Sequence, residues 1–148
     1  MKVTIPRRFC GPPESGNGGY TCGLIANVLG GAAEVTLRKP IPIEREMVIT
    51  RDGEKALLMD ADTLIAEGAQ TSFDEVETPI VSFEEAEAAE EGSPAFKNHP
   101  FPTCFVCGPE RKTGDGLRIF PGLIPELSRN GMRYFASGWI PGAGLGGW

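Results

Sequence analysis

A chain of 148 residues with 14 basic and 20 acidic side chains carries a net charge of −6. It is long enough to bury its own core, and its charge argues against nucleic acid and anionic membrane surfaces as partners. Four cysteines do not suggest a disulfide scaffold, and no stretch has the length of a membrane span or the apolar core of a signal peptide; the expected location is cytoplasmic, with reduced thiols.

Lys2 to Pro6 reads as a short first strand. The loop Gly11-Pro12-Pro13-Glu14-Ser15-Gly16 is rich in residues that stop a helix. Asn17 is a good N-cap, and Gly18 to Leu29 is expected to wind as a helix that ends at Gly30-Gly31. Gly18, Gly19, Cys22, Gly23 and Ala26 keep that helix slim enough for close backbone approach. Ala32 to Lys39 alternates polar and apolar as a strand does, and Pro40 to Ile43 breaks it. Glu46 to Arg51, a type I′ hairpin signal at Asp52-Gly53, and Lys55 to Asp60 form the next pair. Thr63 to Gly68 follows after a short turn. The expected order is strand, loop, helix, then four strands in a meander.

From Asp74 to Glu91 the chain is acidic, and without its carboxylates the remainder is net positive. Within it Ser82 and Glu85 form a capping box, which predicts a short exposed helix in a linker over 74–92. Gly114 to Phe120 and Met132 to Trp139 are strand-like. The aromatics Phe96, Phe101, Phe105, Phe120, Phe135, Trp139 and Trp148 are expected to pack on the first domain or on a partner.

The strings GPPESGNGGYTCGL, VTLRKPIPIEREM, the Asp52-Gly53 hairpin leading to IAEG, and HPFPTCFVCGPERKTGDGLRIFPG resemble the hotdog fold of the thioesterase superfamily. The resemblance implies an α+β fold, with an antiparallel sheet wrapped around one long central helix over 1–73. It implies further that 93–148 resembles the start of a second hotdog repeat. Relatives of this kind look like two repeats in tandem, whereas here the segment from Ile140 to Trp148 has no room for a second central helix. The expectation is a shortened double hotdog, or else a single hotdog with a tail. A single complete repeat would pair with a second copy as a homodimer, with the acyl channel at the interface.

The resemblance implies an acyl-CoA or other acyl thioester as ligand, with no cofactor. Hydrolysis needs a donor for the carbonyl oxygen and a group to attack or to activate water. The Gly18 and Gly19 N–H groups, at the positive end of the helix, are candidate donors. In one-domain members a His-Gly-Gly string often precedes the helix, and an acidic residue follows some turns later. Here the string is Asn17-Gly18-Gly19, and Ala26 and Asn27 stand near the acidic position. Asn17 either orients a carbonyl or caps the helix. Glu14 is the nearest carboxylate, either a base or a solvated loop residue. Tyr20 and Thr21 either face the pocket or pack. Arg38, with Arg7, Arg8 and Lys39, either rims a CoA nucleotide site or is ordinary surface charge. The domain is thus either a thioesterase, a non-catalytic thioester binder, or a ligand-free structural oligomer.

Cys104-Phe105-Val106-Cys107-Gly108 is a knuckle suited to half of a zinc site. His99 and Cys10 are the available further ligands, with Cys22 placed in the helix. No second CxxC exists, so the alternative to zinc is a tight turn with two half-buried thiols. No thioredoxin-like pattern surrounds the pair.

Overall fold

The computed structural model describes residues 1–74, 76–128 and 131–140. Its contacts divide the chain into two compact units, Met1–Glu75 and Val76–Trp148.

The first unit is α+β, a five-stranded antiparallel sheet with a single α-helix against one face. Its elements are β1 (Lys2–Thr4), α1 (Gly18–Leu29), β2 (Ala33–Leu37), β3 (Glu46–Asp52), β4 (Lys55–Asp60) and β5 (Thr63–Gln70). The strand order is β1-β3-β4-β5-β2. Only β3, β4 and β5 form a meander; β2 crosses to pair with β5, and β1 pairs with β3. The four-strand meander expected from chain order is therefore corrected. Strand alternation alone does not say which neighbour a strand takes.

Alternation does choose the faces. Met47 and Ile49 on β3, and Ala56 and Leu58 on β4, turn inward, while Val48 and Leu57 turn out. On α1 the inward residues are Thr21, Ile25 and Leu29, at the four-residue spacing of one helix face. With Ile5, Ile41, Ile65 and Ala66 these apolar groups form one core. The helix has 12 residues, about 18 Å of rise, which is ordinary rather than long. It ends where Gly30 turns left-handed at φ 82°, with Gly30 N and Gly31 N both donating to Ala26 O.

The β3–β4 turn differs from expectation. Asp52 pairs with Lys55, so the loop is Gly53-Glu54, and Gly53 has positive φ while Glu54 does not. That is the type II′ pattern, with glycine first, rather than Asp-Gly in type I′.

The second unit contains α2 (Phe83–Glu90) and a small hairpin of β6 (Gly122–Leu123) and β7 (Phe135–Ala136). The Ser82–Glu85 capping box forms as expected. The helix lies so near β6 that a Cβ on Gly122 would stand 1.6 Å from Ala89 O. Ser137 Oγ donates to Glu90 Oε1 at 2.5 Å. Gly114 to Phe120 is not a strand: Thr113 bridges Gly116, and Gly114 and Arg118 take positive φ. Phe105 and Phe120 are buried within this unit, and Phe96 packs on Phe120 at 4.6 Å, whereas Phe101, Phe135 and Trp139 remain exposed. The expectation for the tail 141–148 lies outside the described residues.

Candidate functional site

The loop before α1 is pinned at both ends. Gly11 N donates to Ser15 O, Asn17 N to Phe9 O at 2.7 Å, and Gly16 N to Ile41 O. Gly16 is required by close approach, since a Cβ there would lie 2.8 Å from Ile41 Cγ2.

Asn17 then caps the helix. Its Oδ1 accepts from Tyr20 N at 3.0 Å, and its carbonyl accepts from Thr21 N. The Thr21 bond is the first regular turn of the helix. Of the four N–H groups that a helix start leaves over, those of Asn17 to Tyr20, two are used, Tyr20 N by Asn17 Oδ1 and Asn17 N by Phe9 O. The Gly18 and Gly19 N–H groups remain, with no acceptor among the described residues. They are the donors this site offers.

The other residues singled out from the sequence are engaged elsewhere. Tyr20 stacks on Phe9, with ring centroids 4.2 Å apart and planes 7° from parallel. Thr21 is fully buried, and its hydroxyl donates to Asn17 O at 2.9 Å; it faces the core rather than a pocket. Glu14 is exposed and pairs with Arg7 at 3.3 Å. Arg38 is tied to Glu67, with Nε donating to Oε1 at 2.7 Å. Of the residues expected to act together, the fold joins Asn17, Gly18 and Gly19, and it turns Glu14 away to solvent.

In the second unit the turn 101–108 brings another group together. His99 Nε2 lies 3.2 Å from Cys107 Sγ, and Cys107 Sγ donates to Cys104 Sγ at 3.5 Å. Burial first, and the Cys104 sulfur second, push the Cys107 thiol up to about 11. His99 Nδ1 accepts from Phe101 N at 2.9 Å. The neutral ring therefore carries its proton on Nε2 and directs it at Cys107, instead of offering a lone pair there. Among the described residues no group of three or more His, Cys, Asp and Glu side chains is arranged to hold a metal ion. Cys10, weighed as a zinc ligand from the sequence, is buried in the first unit and bridges Gly16. Burial also raises the Cys22 thiol.

An open groove of about 610 Å³ in the second unit is lined by Ile80, Val81, Ala88, Leu123, Ile124 and Leu127, among others. No periodicity or motif announces it, because it forms between α2 and the β6 region. Among the described residues no helix is long and apolar enough to cross a membrane.

In comparisons with known proteins, no family model, curated protein or solved structure matches the chain. The class defined by the first unit is therefore that of its architecture, an α+β domain with one helix on a five-stranded antiparallel sheet.

Proposed function

We propose that the first unit is a hotdog-type domain that binds an acyl thioester, such as an acyl-CoA, through the start of α1. One observation carries this reading: at the helix start Tyr20 N–H is taken by Asn17 Oδ1 and Asn17 N–H by Phe9 O, which leaves the Gly18 and Gly19 N–H groups as a donor pair at the positive end of a helix. Such a pair suits a thioester carbonyl oxygen.

The dimeric part of the reading rests on β2. It is an edge strand, and its last residue, Leu37, lies against Gly18, where an added Cβ would meet Leu37 Cδ1 at 3.1 Å. Pairing of β2 with β2 of a second copy would cover an open edge and bring a partner surface to the helix start. Binding without turnover fits Glu14, whose side chain is 82% exposed and paired with Arg7. Hydrolysis is the second reading, favoured by the donor pair itself, which would also hold the oxyanion of a tetrahedral intermediate.

Gly18→Pro tests the site cleanly. Proline is accepted at the first helical position and removes its N–H, while its Cβ meets Leu37 Cδ1 as an alanine Cβ would. The preceding Asn17, at φ −67° and ψ 130°, already has the extended conformation that a residue before proline prefers. Gly18→Ala keeps the N–H and serves as the control. Titration of acyl-CoAs by calorimetry should show binding in the wild type and in Gly18→Ala, with loss of about tenfold in Gly18→Pro. Equal affinity in both variants would remove the helix start as the site. Free CoA measured by mass spectrometry in the same samples separates binding from hydrolysis.

A further inference from the structure

The turn that carries Cys104 and Cys107 is built rather than incidental. Cys104 N donates to Phe101 O at 2.9 Å, Gly108 N to Cys104 O at 2.8 Å, and Glu110 N to Pro102 O at 3.0 Å. Both residues between the cysteines are fixed as well, since Phe105 O accepts from Leu117 N and Val106 O from Ile119 N. A Cβ on Gly108 would stand 2.5 Å from Cys104 N and from Pro102 O, so only glycine permits this closure. The backbone thus holds two cysteines outside any disulfide with their sulfurs 3.5 Å apart. Formation of a disulfide asks for an approach of about 1.5 Å, to the bonded distance. Cys104 is buried and Cys107 is half-buried, which makes Cys107 the reachable sulfur. His99 is set against that sulfur, its ring oriented by the Phe101 N–H and its Nε2–H directed at Cys107 Sγ.

We propose that Cys104 and Cys107 are a dithiol couple that closes reversibly to an intramolecular disulfide by exchange with a small-molecule disulfide, with His99 steadying the Cys107 sulfur. Cys107 attacks one sulfur of the external disulfide, forms a mixed disulfide, and releases the first thiol. Cys104 then attacks Cys107 Sγ, the mixed bond breaks, and the second thiol leaves. Two protein thiols are oxidised and one external disulfide is reduced to two thiols, which carry away the two protons. The His99 N–H stabilises the sulfur while it is anionic.

The test uses the full chain, reduced with a phosphine, freed of reductant under argon, and mixed with oxidised glutathione at about pH 9, because the thiolate is the attacking form and burial raises the Cys107 thiol. Alkylation followed by peptide mass spectrometry should show the Cys104–Cys107 peptide protected as a disulfide, with the mass of two hydrogens lost. Cys10 and Cys22 should remain alkylated, and dithiothreitol should restore both protected thiols. Cys104→Ser should stop at the glutathione adduct on Cys107, and His99→Ala should slow closure by about tenfold. Two outcomes overturn the proposal. One is that Cys104 and Cys107 stay fully alkylatable after oxidant while circular dichroism reports a folded chain. The other is that the reduced protein retains stoichiometric zinc that blocks both thiols until a chelator removes it.

Discussion

Gly68 on β5 and Ile25 on α1 meet so closely that a Cβ on Gly68 would lie 2.6 Å from Ile25 Cγ2. The helix seats on the sheet at this point, with Leu29 and Val35 closing around the same spot. Gly68→Ala is expected to force the helix outward and cost about 1–3 kcal/mol. Urea unfolding of Gly68→Ala, Ile25→Ala and the double variant checks this. Removing Cγ2 from Ile25 should recover part of the Gly68→Ala loss, which would appear as coupling in the double-mutant cycle.

The cap at Asn17 is both local and tertiary. Its Oδ1 serves Tyr20 N, while its backbone N–H reaches Phe9 O. Asn17→Ala should lower stability by about 1 kcal/mol, and Asn17→Asp should retain most of it. Denaturant midpoints at constant slope would verify the pair. An equal loss in both variants would assign Asn17 a role other than capping.

The β4–β5 turn holds Ala61 at φ 48°, a conformation that disfavours residues with a side chain. Asp60 pairs with Thr63, so Ala61 is the first of two loop residues, where glycine is the favoured choice. Ala61→Gly should raise stability by about 0.5–1 kcal/mol. Thermal unfolding of the variant would show a higher midpoint; a lower one would contradict the left-handed turn.

Cys107 makes the chain sensitive to alkali. Its thiol is raised from an ordinary value of 9.0 to about 11, by burial and then by Cys104. The folded chain therefore holds this proton to a higher pH than the unfolded chain does. The associated stability is whole below about pH 9 and is lost as pH rises through about 11. Alkylation of Cys107 in the folded protein should accelerate across the same interval. Cys107→Ala should remove that part of the alkaline loss, as measured by unfolding at pH 8 and pH 10.

Much of the first unit was legible along the chain because its signals are local. Asn17 before a run of small and apolar residues, and Gly30 after it, mark both ends of α1. The period-two pattern of Met47, Ile49, Ala56 and Leu58 marks the inner face of β3 and β4. The capping box of Ser82 and Glu85 places α2. The segment 114–120 misled, because its apolar residues resemble a strand although Gly114 and Arg118 take left-handed conformations that no strand accommodates. The site was half legible. Asn17, Gly18 and Gly19 are contiguous, so their grouping follows from one helix start. The destinations of Tyr20, Thr21, Glu14 and Arg38 depend on residues far away or on which helix face turns inward.

The amino-acid sequence by itself determined where chain direction changes, which residues repeat on one face, and where two thiols lie three positions apart. Those features depend on backbone preferences and periodicity within a few residues. Tertiary structure alone decided that β2 crosses to β5, that Tyr20 stacks on Phe9, that Arg38 finds Glu67, and that His99 turns its Nε2 to Cys107. Each of these is a choice among partners of similar chemistry. The choice is made by packing the whole unit, where burial and hydrogen-bond satisfaction apply to many residues at once.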